Sequence, residues 1–236
     1  MKNILARGGI EFLAVLLGLS GSLTLEDKRQ KDELNSKLKQ DYIKILEDVT
    51  LDIDAINEVI SKNNIVFKRV EKLIEYSNGN IPYNQDSIIT NLRFVGSPTL
   101  YGRQTAYKAS VSSGRFNSSD EINITNEISF LYEYEYTRIT KNSDRYDQRQ
   151  QQLRDEYTVK FMAAQNPEAN VDPSYIRNSF FNMDLKNRLY AHKNSISFYL
   201  RRLYEVKDQM IITEKLISDF LKNWFKPKRG CQIYSN

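Results

Sequence analysis

The chain has 236 residues, 40% hydrophobic and 27% charged, with nine glycines, five prolines, one histidine and one cysteine. So few chain-breaking residues exclude a turn-rich sandwich or barrel, and the interleaved charges exclude a multi-span transporter. A single His and a single Cys exclude a Cys/His zinc cluster, an ordinary Cys–His nucleophile pair and an intrachain disulfide framework. The 34 basic residues outnumber the 30 acidic ones by four. Lys222, Lys226, Lys228 and Arg229 near the carboxyl end account for that excess, which leaves no basic stripe for a nucleic acid.

The first element is the run from Ile4 to Leu25, whose 22 residues make a helix of about 33 Å, the thickness of a bilayer's hydrocarbon core. Eleven Leu, Ile, Phe or Val residues lie in it, against one acid, Glu11. Arg7 stands four residues before Glu11 on the same helix face and can neutralise it as an intramembrane ion pair. Apolar residues fall on all faces, which predicts a membrane anchor (residues 1–25) rather than a surface helix with one stripe. A cleaved signal peptide ending near Ser20-Gly21-Ser22 and a buried soluble helix are the competing readings. Ala14, Gly18 and Ser22 recur every four residues, a small-residue stripe on which two such helices could pack to form a homo-oligomer in lipid. Basic residues flank the run on both sides, so the side of the membrane that holds the body stays open.

From Glu26 to Tyr76 no Pro or Gly interrupts the chain. Leu38, Tyr42, Ile45, Val49, Asp52, Ile56, Val59, Asn63, Val66, Val70 and Leu73 step four and three apart, a heptad seam with two polar members. Ser77-Asn78-Gly79-Asn80 and Pro82 stop it. A second long helix is predicted over residues 118–165, started by Ser118 and Glu121 at capping-box spacing and carrying a weaker seam. A third is predicted over 184–225, with a regular seam from Leu185 through His192 and Tyr199 to Trp224. The expected fold is all-α: an amino-terminal transmembrane helix, then an elongated antiparallel bundle of three long helices (body 26–225) and a basic flexible tail (226–236). In that geometry the segment 77–117 forms the distal tip, the turn from Pro167 to Met183 with Tyr175, Phe180 and Phe181 returns to the membrane side, and the tail ends distally.

The tip is the longest interruption of the bundle and hence the expected binding surface. Tyr101, Arg103, Tyr107 and Arg115 offer a cationic and aromatic face there for a ligand or partner, although tight packing of a small-residue turn explains the same residues. His192 lies on the third seam and reads as a packed, hydrogen-bonded core residue. Cys231 behind Lys226, Lys228 and Arg229 has the look of a lipid-contact tail, but the expected distal position speaks against it. No phosphate loop, dinucleotide loop or zinc helix is present, and Glu133 and Glu135 point to different helix faces. No catalytic residue, metal site or cofactor is therefore expected.

Glu11-Phe12 leading through an apolar run to Gly18, Thr105-Ala106-Tyr107 leading to Ser112-Ser113-Gly114, and Leu131-Tyr132 after a helix start resemble a family of short uncharacterised bacterial single-span membrane proteins, classed under a domain of unknown function. The resemblance covers about half the chain in scattered pieces. It implies a single-pass protein of the bacterial inner membrane and no catalytic residue. The expected role is a non-catalytic binding, scaffold or sensory module with an unknown protein partner. The alternative is a soluble or secreted helical interaction protein whose first helix is a signal or core segment.

Overall fold

The computed structural model describes residues 2–161, 163 and 166–224, without the side chains of residues 2–11, 14, 158, 160 and 167. Among the described residues every regular element is helical. One helix, α1 (Lys2–Asn78), runs unbroken for 77 residues, about 115 Å. Gly79 ends it in the left-handed region at φ +74°. The Gly79 N–H donates to the Tyr76 carbonyl and the Asn80 N–H to the Glu75 carbonyl, the hydrogen-bond pattern of a glycine-terminated helix. Two short helices, α2 (Gln85–Arg93) and α3 (Thr105–Ser112), follow. The second long rod comprises α4 (Ile122–Ser129), a π-helical stretch Phe130–Tyr136, α5 (Thr137–Leu153), a second π stretch Arg154–Thr158 and a 3-10 turn Val159–Phe161. After α6 (Pro173–Phe180), the helix α7 (Met183–Trp224) forms the third rod.

Cross-contacts fix the directions of the rods. Tyr136 meets Asp52 and Tyr146 meets Asn63, so the second rod runs parallel to α1. Tyr190 meets Asn78, Lys193 meets Glu71, Thr50 meets Glu214 and Tyr42 meets Phe220, so α7 runs antiparallel to both. The expected up-down-up order is thus corrected to up, up, down. The rule that neighbouring helices alternate holds for short turns, and the connection between α1 and α4 is long enough to travel back along the flank of α1. From Phe94, bonded to Arg69, to Arg103, bonded to Asp52, nine steps of strap cover seventeen residues of helix. Extended chain supplies about 30 Å there and the helix needs about 26 Å, so this stretch has no room to coil.

Three placements change with it. Only the start of the 77–117 segment sits at the far end, and the rest is a strap on the flank of α1. The turn carrying Tyr175, Phe180 and Phe181 lies at that far end too, where Arg177 stacks over Tyr83 and Phe181 touches Tyr83. Phe180 is fully buried, while Tyr175 and Phe181 are half exposed. The carboxyl end of α7 comes down beside the start of the bundle, with Lys39 over the Trp224 ring.

The core is the seam predicted for α1 and α7. Leu38, Tyr42, Ile45, Val49, Ile56, Val70 and Leu73 are buried against Leu185, Leu189, Ile196, Leu203, Val206, Met210 and Ile217. The second rod starts at Ile122 rather than Ser118. Ser119 Oγ accepts the Glu121 N–H, whereas Ser118 donates to the Gly114 carbonyl. The capping-box spacing therefore marks a turn before the helix.

Candidate functional site

Two features stand apart from ordinary core packing. The first is the set of fasteners that hold the strap. The two polar members of the α1 seam, Asp52 and Asn63, are both fully buried. Asp52 accepts from the Arg103 backbone N–H at 2.8 Å, the Arg103 guanidinium at 2.7 Å and the Tyr136 hydroxyl at 2.7 Å. Asn63 donates to the Pro98 carbonyl at 2.7 Å and accepts from the Tyr146 hydroxyl at 2.9 Å. Lower down, Asp41 accepts two bonds from Arg115 and one from Ser110. Burial would raise the Asp41 carboxyl, but Arg115 and Ser110 outweigh it and hold it below the usual carboxylate range. A buried acceptor is tolerated only when its bonds are made, and here the strap makes them.

The residues expected to form a ligand surface are divided by this arrangement. Arg103 and Arg115 spend their guanidiniums on Asp52 and Asp41. Tyr107 is buried, stacked on Tyr132 with ring centres 4.5 Å apart and edge-on to Phe116. Tyr101 alone stands fully in solvent. Gly102 lies under the Tyr136 ring so closely that a Cβ there would come within 2.4 Å of it. Burial and the neighbouring Asp48 and Asp52 carboxylates push the Tyr132 and Tyr136 hydroxyls up, so both stay protonated, and Tyr136 serves as a donor. Arg202, almost fully buried on α7, pairs with Glu135 and with Glu205. Glu135 stands four residues from Leu131 and from Ile139 on the buried face of the second rod, a pairing not legible in the sequence because Arg202 comes from another rod.

The second feature is the lower part of α1. Phe12, Leu13, Val15, Leu16, Leu17, Leu19, Leu23 and Leu25 are all exposed, on every side of the helix. Above them, Glu26 to Lys37 is a polar collar with Arg29–Glu26 and Lys37–Glu33 pairs. Lys31 pairs with Asp120, and from Leu38 upward the seam is buried. Covering eight such side chains is worth roughly 12–24 kcal/mol at about 1.5–3 kcal/mol each. Isolated monomers rarely leave a contiguous apolar surface of this size in water. Among the described residues no helix is long and apolar enough to cross a membrane; the side chains described from Phe12 to Leu25 cover about 21 Å of helix. Gly18 and Ser22 lie on this bare stretch, with open space around Gly18 and the Ser22 hydroxyl bonded to the Leu19 carbonyl. The Arg7 and Glu11 side chains of the expected ion pair, and that of Ala14, lie outside the described residues, as do Cys231 and the bases before it. No family model, curated protein or solved structure matches the chain.

Proposed function

We propose that the protein is a single-pass membrane protein in which α1 is at once the anchor and the spine, holding a strapped helical rod away from the bilayer as a non-catalytic binding or sensory module. One observation carries this reading: the all-round apolar exposure of α1 from Phe12 to Leu25, ended by a charged collar. In sequence the apolar run begins at Ile4, and its 22 residues match the bilayer core. The likeness of Glu11-Phe12, Thr105-Ala106-Tyr107 and Leu131-Tyr132 to short bacterial single-span proteins supports the same reading and suggests the bacterial inner membrane. α7 descends to Lys39, so its last described residue, Trp224, lies at the end of the rod from which the apolar stretch emerges.

Alkaline carbonate extraction of membranes tests the proposal. The full chain stays in the pellet, and a chain lacking residues 4–25 moves to the supernatant with unchanged helical circular dichroism. Release of the intact full chain would instead support a soluble helical protein whose lower α1 docks on a partner.

A further inference from the structure

Beside the α5–α7 seam, well up the rod, two adjoining hollows of about 300 Å³ and 330 Å³ share Arg149 and Asn194. The lower one has an aromatic wall from Tyr146 and Phe198, and the upper one is lined by His192. No carboxylate lines either hollow among the described residues. Arg188, at the edge, is tied to Glu156 and Asp184. Arg149 spends one donor on Ser195 at 2.6 Å, and Arg145, one helical turn below it, is exposed and has no ion pair among the described residues.

His192 is the second observation. It is 1% exposed, stacked on Tyr146 with ring centres 5.5 Å apart, and neither ring nitrogen closes a hydrogen bond. The Gly96 carbonyl lies near enough to favour the protonated ring, yet burial, aided by the Arg149 charge, outweighs it. A buried imidazole with at least one nitrogen left unbonded costs stability at this position. Its packing function would be met by a leucine.

We propose that this groove binds a small organic phosphate, with the anionic head between the Arg145 and Arg149 guanidiniums and a planar apolar part against Tyr146 and Phe198. Two forked cations on successive turns match a dianion, where a carboxylate would satisfy only one of them. The combined volume is that of a small-molecule site. Tyr199 meets Leu100, and Lys193 meets Glu71, so the groove stands roughly 60 Å above Leu25 along the axis of α1. Lipid head groups around that helix cannot reach it, and the phosphate is therefore a free solute.

Calorimetric titration of the full chain in detergent with phenyl phosphate tests the assignment. Saturable binding is expected, at least tenfold tighter than benzoate and weakening as salt is raised. Arg145→Gln and Arg149→Gln are each expected to weaken it at least tenfold. Arg145 is exposed and makes no side-chain bond among the described residues, so its variant keeps the unliganded melting temperature and isolates binding from folding. Absence of saturable binding, benzoate binding as tightly, or unchanged affinity in both arginine variants would overturn the proposal. Displacement of phenyl phosphate by phosphatidic acid vesicles would assign the groove to a lipid head group and overturn it as well.

Discussion

The two ends of α1 are one helix under two different rules. Between Leu38 and Leu73 the apolar residues are spaced four and three apart, and nearly all of them are buried by α7 and the second rod. Between Phe12 and Leu25 they come in runs, and none is covered. Arrangement, rather than amount, decides the outcome. A stripe can be covered by two neighbouring helices, whereas an all-round apolar surface needs surroundings on every side, a protein partner or lipid. The collar from Glu26 to Lys37 separates the two regimes, with exposed pairs bonding along the helix and Lys31 reaching Asp120.

This contrast can be broken by substitution. The largest effect is expected in the seam: Ile56→Ala should lower unfolding free energy by about 3–4 kcal/mol in urea denaturation of detergent-solubilised protein, because it opens a cavity in a close-packed core. Leu17→Ala, of similar chemistry on the bare stretch, should leave the same midpoint unchanged. A comparable loss from Leu17→Ala would mean that the lower helix is covered within the fold.

Next comes the strap. Asp52→Ala leaves the Tyr136 hydroxyl and the Arg103 N–H without an acceptor and should cost about 3 kcal/mol. Asp52→Asn keeps part of the bonding and should cost less. Acid should act on the same scale through His192, whose pKa burial and Arg149 lower to about 4 from an ordinary 6.5. The unfolded chain then binds the proton first. The contribution of the neutral ring is intact above pH 6.5 and is lost as the pH falls towards 4, by about 3 kcal/mol. His192→Leu should flatten that part of the stability profile, and an unchanged slope would remove His192 as its source. The smallest effect is at Gly102. Adding a methyl under the Tyr136 ring, which is itself held by Asp52, should cost about 2 kcal/mol by overpacking.

Much of the fold was legible because two of its three rods obey a simple period. The seam positions named for α1 and α7 are the buried ones, with Val59 and Phe220 partly covered and Trp224 at the open end. The second rod gave a weaker signal for a physical reason. Its α-helix is interrupted by two π stretches, and the polar Glu135 and Ser143 stand among its buried positions, so its apolar stripe is broken. The direction of that rod was hidden in the strap, whose length permits either a tip or a return path. Asp52 and Asn63 held the clue. Polar residues on an otherwise apolar seam need partners, and the extended chain from Phe94 to Arg103 is where those partners come from. Arg103 and Arg115 drew attention as cations for a ligand, but a buried acid one strap-width away had the prior claim. The groove of Arg145, Arg149 and His192 was not legible, since its residues come from two rods whose register depends on the first π stretch.

The most direct test is water accessibility along α1. With Cys231 replaced by serine, single cysteines from Phe12 to Leu73 would be reacted with a charged, membrane-impermeant thiol reagent in native membranes opened to expose both faces. The account predicts no labelling at any position from Phe12 through the low twenties, labelling across the collar from Asp27 to Lys37 with Leu34 and Asn35 weakest, and from Leu38 upward protection only at the buried positions, Asp41 and Ile60 among them. Uniform labelling between Phe12 and Leu25, or protection there with a period of three to four residues, would contradict it.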